Sequence, residues 1–127
     1  MSKQQNLKSA LIVDDNKINT LVLEGMLQPF DLEIKITYSG LEAVKILQEN
    51  SSIGIIFLDL YLPDKDGFET ITLIRKLQAY KTTPIVAVSG RVEKNIRERC
   101  LTASFNEYLS KPIDYDIFSK LLESFLN

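Results

Sequence analysis

Reactive side chains directly follow four short apolar segments of this sequence. They are Asp14 and Asp15 after residues 10–13, Asp59 after residues 55–58, Ser89 after residues 85–88, and Lys111 after residues 108–110. If these segments are neighbouring parallel strands, three carboxylates, a hydroxyl and an ammonium group meet at one edge of one sheet. Such a group of side chains is suited to binding a divalent cation and a phosphoryl group.

The three carboxylates have the right chemistry for phosphoryl transfer. Because they repel one another, we expect a raised pKa for at least one of Asp14, Asp15 and Asp59 when no cation is bound. A hard cation such as Mg²⁺ relieves this repulsion, since it prefers carboxylate, carbonyl and water oxygens. Asp59 is the natural nucleophile, because an aspartate can accept a phosphoryl group as an acyl phosphate. The Lys111 ammonium supplies further positive charge, and Ser89 can donate a hydrogen bond to a phosphoryl oxygen.

Each of these residues also has a simple structural interpretation. An Asp-Asp pair after a strand usually forms a turn or a helix cap, and Asp59 could cap the loop that follows it. Ser89 could be an ordinary turn hydroxyl, and Lys111 a solvated surface charge. The order of the residues, each at the end of a predicted strand, favours the functional interpretation.

The elements that position these residues are predicted from periodicity. Apolar segments alternate with longer stretches of helical periodicity, which predicts β–α units on a parallel sheet. Segments 9–13, 55–58 and 85–88 suit strands covered on both faces, whereas residues 33–38 alternate in polarity like an edge strand. The prediction is a single α/β domain over residues 1–127, with its core at about 9–126 and a (βα)5 three-layer sandwich architecture. Ligands of such open sheets lie beyond the carboxyl ends of the strands.

Five helices are predicted between and after these strands. The first begins near the N-cap Asn16, ends at Pro29, and has on one face Ile18, Leu21, Val22, Gly25 and Met26. The second opens with a capping-box pattern at residues 39–42, and the third follows Asp66 and Gly67. The fourth covers about residues 93–102, and the fifth begins after Pro112.

Composition excludes several classes of function. The net charge of −2 gives no electrostatic reason to expect nucleic-acid binding. The chain has no histidine, which excludes His-based catalysis, and one cysteine, Cys100, which we expect to be an inert thiol. No apolar run approaches the ~20 residues of a membrane span, and the polar residues 1–8 do not form a signal peptide. The default expectation is a cytoplasmic protein.

Taken together, residues 11–16, 59–67, 88–90 and 108–112 resemble the receiver domain of two-component response regulators. The resemblance covers about residues 9–126. The sequence Val13-Asp14-Asp15-Asn16, followed by Ile18 and Asn19, and the later Lys111-Pro112-Ile113 are most similar to receivers attached to hybrid sensor kinases. This resemblance implies a flavodoxin-like sheet with strand order 2-1-3-4-5. It also implies a signalling module rather than a turnover enzyme.

The resemblance further implies a role for each site residue. Asp59 is the phosphoacceptor, taking its phosphoryl group from a histidine kinase or a His-containing phosphotransfer protein. Mg²⁺ is held by Asp15, Asp59 and the backbone carbonyl of Tyr61, with Asp14 acting through a bound water. Ser89 and Tyr108 occupy the two switch positions, whose movement reshapes the face formed by the fourth helix, fifth strand and fifth helix for a partner.

Two local features concern the backbone near the ends of the fourth helix and the fifth strand. The bond before Pro112 is a candidate cis peptide bond, which would turn Lys111 towards the site. Ser104 stands where the family commonly has a helix-ending glycine, so the backbone there either avoids the left-handed conformation or is strained.

Three other classes of protein remain as alternatives. An aspartate-nucleophile phosphatase needs a second acid two residues after the nucleophile, where this chain has Tyr61. A flavin or nucleotide carrier on the same fold needs a phosphate-binding turn, but residues 14–17 begin with two acids. A degenerate receiver that only acts as a scaffold is disfavoured because no residue of the site is missing.

Overall fold

The computed structural model describes residues 8–126 and contains a five-stranded parallel sheet in the order β2-β1-β3-β4-β5. The strands are β1 (Ser9–Val13), β2 (Glu33–Thr37), β3 (Ile55–Asp59), β4 (Ile85–Ser89) and β5 (Glu107–Ser110). The helices are α1 (Lys17–Leu27), α2 (Gly40–Glu49), α3 (Gly67–Arg75), α4 (Ile96–Thr102) and α5 (Tyr115–Leu126). The predicted (βα)5 flavodoxin-like fold and its strand order are confirmed. Residues 1–7 and 127, at the two ends of the predicted domain, lie outside the described residues.

Two apolar layers pack against the sheet, one on each of its faces. All residues of β1, β3 and β4 are buried, as continuous apolar strands require. Alternate side chains of these strands pack on one side against α2, α3 and α4, and on the other against α1 and α5. Burial on both faces fixes the positions of the strand ends, and therefore of the side chains that follow them.

The apolar face predicted for α1 is not the face that packs on the sheet. Ile18, Leu21 and Val22 are 71%, 63% and 48% exposed. The buried residues of this helix are Thr20, Leu23 and Leu27. Thr20 is tolerated in the core because its hydroxyl donates a hydrogen bond of 2.7 Å to the carbonyl of Lys17 within the helix.

The helix α4 begins at Ile96, three residues later than about residue 93, where the sequence predicts its start. Asn95, immediately before the helix, has φ = 57° in the left-handed region, which ends any continuous helix at that point. Asparagine is one of the few residues that adopts this conformation at small cost.

Ser104 has φ = 83°. Of the two backbone conformations expected from the sequence, it therefore adopts the strained left-handed one. Replacing Ser104 with glycine should therefore raise the free energy of unfolding. We expect a gain of roughly 0.5–1 kcal/mol, since relief of the left-handed strain outweighs the extra entropy of glycine in the unfolded chain. Urea denaturation measures the difference. Ser124→Gly, within α5, is the matched control and should lower stability, so a loss in both variants would contradict the assignment of strain.

Candidate functional site

Three carboxylates from two neighbouring strands meet at the carboxyl edge of the sheet. Val13 pairs in register with Leu58, so the residues that follow each of them lie side by side. Oxygen atoms of Asp14, Asp15 and Asp59 all lie within 4.8 Å of one another. Asp14 and Asp59 are buried, whereas Asp15 is exposed. The sequence-predicted acidic residues are thus brought together, with one of them facing solvent.

Lys111 directly follows the carboxyl end of β5, and its side chain reaches two of these carboxylates. Its Nζ lies 2.9 Å from Oδ2 of Asp14 and 3.2 Å from Oδ2 of Asp59. The backbone N–H of Lys111 donates to the carbonyl of Ser89 at 2.8 Å, which fixes the start of the lysine side chain. The Lys111–Pro112 peptide bond is cis.

Backbone donors hold the remaining oxygens of the two buried carboxylates. Oδ1 of Asp14 accepts a hydrogen bond of 2.9 Å from the N–H of Asn16, and Oδ1 of Asp59 accepts one of 2.9 Å from the N–H of Tyr61. Each carboxylate is therefore held by a local turn through one oxygen and by the lysine through the other. Asn16 in turn caps α1 with its own side chain.

The charges at this site shift the ionisation of its groups. The pKa of Asp59 is raised, mainly by burial and to a smaller extent by the nearby charge of Asp14, while the Tyr61 N–H and Lys111 oppose the rise. The raised pKa expected from the sequence is present, but burial contributes more to it than repulsion does. For Lys111, burial alone lowers the pKa, yet pairing with Asp14 and Asp59 outweighs it and the net pKa is raised. The lysine therefore stays cationic.

Ser89 and Tyr108 lie on β4 and β5, which are on the other side of β3 from Asp14 and Asp15. Ser89, at the end of β4, is fully buried, and its Oγ accepts a hydrogen bond of 3.1 Å from the N–H of Arg91. Tyr108, on β5, is partly buried and packs against the core layer that contains Cys100. Burial is also the main cause of its raised pKa.

A second polar cluster, whose contacts were not predicted from the sequence, covers one side of the site. The Arg91 guanidinium carbon lies 3.9 Å from the centre of the Tyr61 ring, and the Tyr61 hydroxyl donates to Glu93. Glu93 is also paired with Arg99 of α4 at 3.2 Å. Burial and the hydrogen bond to Glu93 raise the pKa of Tyr61 to about 12. In the sequence these charges have the appearance of a solvated helix face, so no local signal identifies the cluster.

An apolar recess lies next to the lysine, between α1 and the start of α5. It has a volume of about 160 Å³ and is lined by Asn19, Val22, Leu23, Lys111, Pro112 and Ile113. The exposed apolar residues of α1 continue this surface outwards. The acidic cluster and an exposed apolar surface therefore share Lys111 as their common boundary.

The donor set of the acidic cluster fits a hard divalent cation. Carboxylate oxygens from three residues within 4.8 Å of one another match the ligands that Mg²⁺ prefers, and one of the three carboxylates is open to solvent. The cluster also contains none of the histidine or cysteine ligands that zinc favours.

Comparison with known proteins agrees with this geometry. The model of the response regulator receiver domain family matches residues 10–123, so the chain belongs to that family. The hybrid signal transduction histidine kinase E of Dictyostelium discoideum is 36% identical over an alignment of 109 residues, a match that covers 84% of this chain but 6% of that kinase. The chain thus spans only a small fraction of the length of such relatives.

Two solved structures are similar over nearly the whole chain. The receiver domain of sensor histidine kinase PA1611 from Pseudomonas aeruginosa, with a magnesium ion coordinated in its active-site cleft, has a TM-score of 0.83 and 28% identity, covering 94% of this chain and 97% of that one. The receiver domain of the Saccharomyces cerevisiae regulator Ssk1, solved with the histidine phosphotransfer protein Ypd1, has a TM-score of 0.81 and 29% identity, covering 94% and 88%. Among residues 8–126, no helix combines the length and the apolar character needed to cross a membrane.

Proposed function

We propose that Asp59 of this receiver domain accepts a phosphoryl group from a phosphohistidine on a histidine kinase or phosphotransfer protein. The observation that carries the proposal is the arrangement around Asp59. Its Oδ2 lies 3.2 Å from the Lys111 ammonium, and the carboxylates of Asp14 and Asp15 lie beside it. Positive charge is thus provided where a phosphoryl group brings additional negative charge.

In the transfer step, a carboxylate oxygen of Asp59 forms a bond to phosphorus while the phosphorus–nitrogen bond of the donor breaks. The donor nitrogen keeps the bonding electron pair, and the ring leaves as neutral imidazole because its other nitrogen carries a proton in the phosphorylated donor. The product on this chain is an acyl phosphate. We expect Lys111 to pair with an oxygen of the transferred group, and the Ser89 hydroxyl to donate to another.

The proposal assigns the acidic residues to the metal ion that such a transfer requires. Asp15, Asp59 and the backbone carbonyl of Tyr61 are the proposed ligands of Mg²⁺, with Asp14 contributing through a bound water. When bound, the ion neutralises the carboxylates and the phosphoryl oxygens. The clustering of the three carboxylates within 4.8 Å supports this assignment.

Phosphorylation is proposed to change the surface formed by α4, β5 and α5. New contacts between the phosphoryl group and Ser89 favour one arrangement of the β4–α4 loop, and Tyr108 follows because it packs in the same layer as α4. A downstream protein or a linked domain then reads this surface.

A phosphatase is the second candidate, and the structure offers it little support. The side chain two residues after Asp59 is Tyr61, whose pKa of about 12 and hydrogen bond to Glu93 make it a poor general acid for turnover. We therefore propose a phosphoacceptor module that assists its own phosphorylation rather than an enzyme for free substrates. Its location in the cytoplasm stays a prediction.

Acetyl phosphate with Mg²⁺ should add one phosphoryl group to the protein, measured as a mass increase of the intact chain. Asp59→Asn should show no increase, because the amide cannot form the acyl phosphate. Omission of Mg²⁺ should greatly slow the reaction of the wild type. An unchanged mass alongside a competent receiver, or equal labelling of wild type and Asp59→Asn, would reject the proposal.

The phosphohistidine donor is proposed to dock on the exposed apolar face of α1 and the recess beside Lys111. Replacing Val22 with glutamate should slow phosphoryl transfer from a histidine phosphotransfer protein by about 10-fold or more, since a charge must be buried against an apolar partner. Transfer from acetyl phosphate should be unchanged. Leu101→Glu, on the exposed face of α4, is the matched control. Equal slowing by both variants would place the docking surface elsewhere.

A further inference from the structure

The first turn of α2 is capped by two different parts of the chain. The N–H groups of Glu42 and Ala43 donate to the side chain and the carbonyl of Ser39, which is the ordinary local cap. The N–H groups of Gly40 and Leu41 instead donate to the carboxylate of Asp64, at 3.0 and 2.9 Å. The N–H groups of Gly40, Leu41 and Glu42, which have no partner within the helix, are thereby all satisfied, two of them by a residue more than twenty positions away.

Asp64 belongs to the loop that carries the proposed carbonyl ligand of the metal. This loop, residues 60–66, runs from the end of β3 to the start of α3 and includes Tyr61. At its ends the loop is closed by the hydrogen bond of 2.8 Å from the Gly67 N–H to the Leu60 carbonyl, and by the capping box of Asp66 on α3. The middle of the loop is held to α2 through Asp64.

The fit between the loop and the helix is close. A Cβ atom added to Gly40 would lie 2.5 Å from Oγ1 of Thr70 and 3.3 Å from Cβ of Lys65. Only a glycine at the first position of α2 therefore lets the helix end approach the loop closely enough for Asp64 to reach both N–H groups. Burial alone raises the pKa of Asp64, but its backbone hydrogen bonds, with Gly40 and Leu41 foremost, outweigh burial and the net pKa is lowered. The carboxylate is thus charged at neutral pH, when it accepts both bonds most strongly.

We propose that Asp64 is a positioning residue for the metal and phosphoryl site, which acts by anchoring the loop 60–66 to the N-terminus of α2. This inference rests on the proposed function for the identity of the ligand at Tyr61. Mg²⁺ demands near-ideal octahedral geometry with ligands at about 2.0–2.1 Å, so a carbonyl that moves by a few tenths of an ångström binds it less well. The N–H and side chain of Tyr61 have contacts of their own with Asp59, Arg91 and Glu93, but without the anchor the middle of the loop is no longer held to α2, and the position of the Tyr61 carbonyl is less tightly fixed.

Magnesium titration of three variants tests the proposal. Asp64→Ala should bind Mg²⁺ about 10-fold more weakly than the wild type, and Asp64→Asn, which keeps one acceptor oxygen, should lie between them. Ser39→Ala removes a cap from the same helix end without touching the loop, and should bind Mg²⁺ like the wild type. Calorimetry in about 1 M salt, where the Debye length is about 3 Å, removes the contribution of the lost charge at Asp64.

Hydrogen exchange gives a second measurement that does not depend on the metal. In Asp64→Ala the amides of Gly40, Leu41 and Gly67 should exchange faster, whereas in Ser39→Ala the faster amide should be that of Glu42. Equal Mg²⁺ affinity in Asp64→Ala and the wild type would overturn the proposal. So would an equal loss in Ser39→Ala, because the effect would then arise from helix stability alone.

The two proposals fail in different ways. If acetyl phosphate labels the wild type and Asp64→Ala binds Mg²⁺ normally, the positioning role is wrong and the proposed function stands. If Asp64→Ala loses Mg²⁺ affinity but the wild type is never labelled, the positioning role stands and the proposed function is wrong.

Discussion

Replacing Lys111 with methionine should lower the free energy of unfolding by about 3 kcal/mol at pH 7 when no divalent cation is present. Asp14 and Asp59 are only 2% and 7% exposed, and both lose their common cation in this variant. Removing one partner of a buried ion pair typically costs about 3–5 kcal/mol, and Lys111 is partly exposed, so the lower end applies. Methionine preserves the apolar stem of the lysine, so that the charge is the main change.

Added Mg²⁺ should restore most of the stability of Lys111→Met, because the ion supplies the positive charge that the variant lacks. It should also bind the variant more tightly than the wild type, in which the ammonium competes for the same carboxylates. Urea denaturation with and without Mg²⁺ measures both effects. Lys120→Met, on the exposed side of α5, should cost little and respond to Mg²⁺ like the wild type. A Lys111 variant as stable as this control would show that the pairing is energetically unimportant.

The pH dependence of this effect follows from the raised pKa of Lys111. A lysine whose pKa is higher in the folded protein stabilises it fully below its unfolded pKa of about 10.4. That contribution is lost as the pH rises through the raised value. The stability difference between wild type and Lys111→Met should therefore persist at neutral pH and shrink only in strongly alkaline solution.

Asp59→Asn should be more stable than the wild type at pH 7 without Mg²⁺, by about 1 kcal/mol or roughly 4 °C in Tm, although it cannot be phosphorylated. The reason is that the raised pKa of Asp59 marks a carboxylate whose charged form is disfavoured in the folded protein. A carboxyl group with a raised pKa stabilises the fold fully below its unfolded pKa, and this stabilisation is lost as the pH rises through the folded value. The advantage of asparagine should thus appear above the pKa of Asp59 and vanish near pH 3.

Thermal denaturation across this pH range, with Mg²⁺ removed by a chelator, measures the effect. Asp31→Asn is the control, because Asp31 lies just before β2, at the edge of the parallel sheet opposite the site, and has φ = 55°, a conformation that asparagine also adopts readily. Its stability should change by no more than about 0.5 kcal/mol. A destabilised Asp59→Asn would mean that the pairing of Asp59 with Lys111 outweighs the cost of burying its charge.

The fold and the residues at the strand ends were predictable from the sequence for a simple physical reason. Strands buried on both faces appear as continuous apolar segments, and parallel strands bring their carboxyl ends to one edge. Asp59 needed no further information, because it directly follows such a segment, whereas Lys111 follows the partly buried strand β5. The positions of these two residues therefore depended on strand positions, while the roles of Tyr61 and Tyr108 came from the family resemblance.

Other features depended on contacts that no local pattern encodes. The orientation of α1 is decided by which side chains fit the sheet, and Leu23 and Leu27 do so while Ile18 stays exposed. The hydrogen bonds from α2 to Asp64 join residues far apart in the sequence, as does the contact between Tyr61 and Glu93. Residues of this kind have ordinary local interpretations as turn formers or surface charges, and only the packed structure shows their partners.

The buried sulfur atom on α4 has a practical consequence. Cys100 is the single cysteine of the chain, is fully buried in the layer that also contains Tyr108, and has a pKa raised to about 11, mainly by burial. A thiol-alkylating reagent can reach it only in molecules whose fourth helix has moved away from the sheet. The rate of alkylation thus reports how often this helix opens, without any engineered label. Comparing that rate before and after acetyl phosphate treatment would show, in the native sequence, whether phosphorylation changes how often the helix opens.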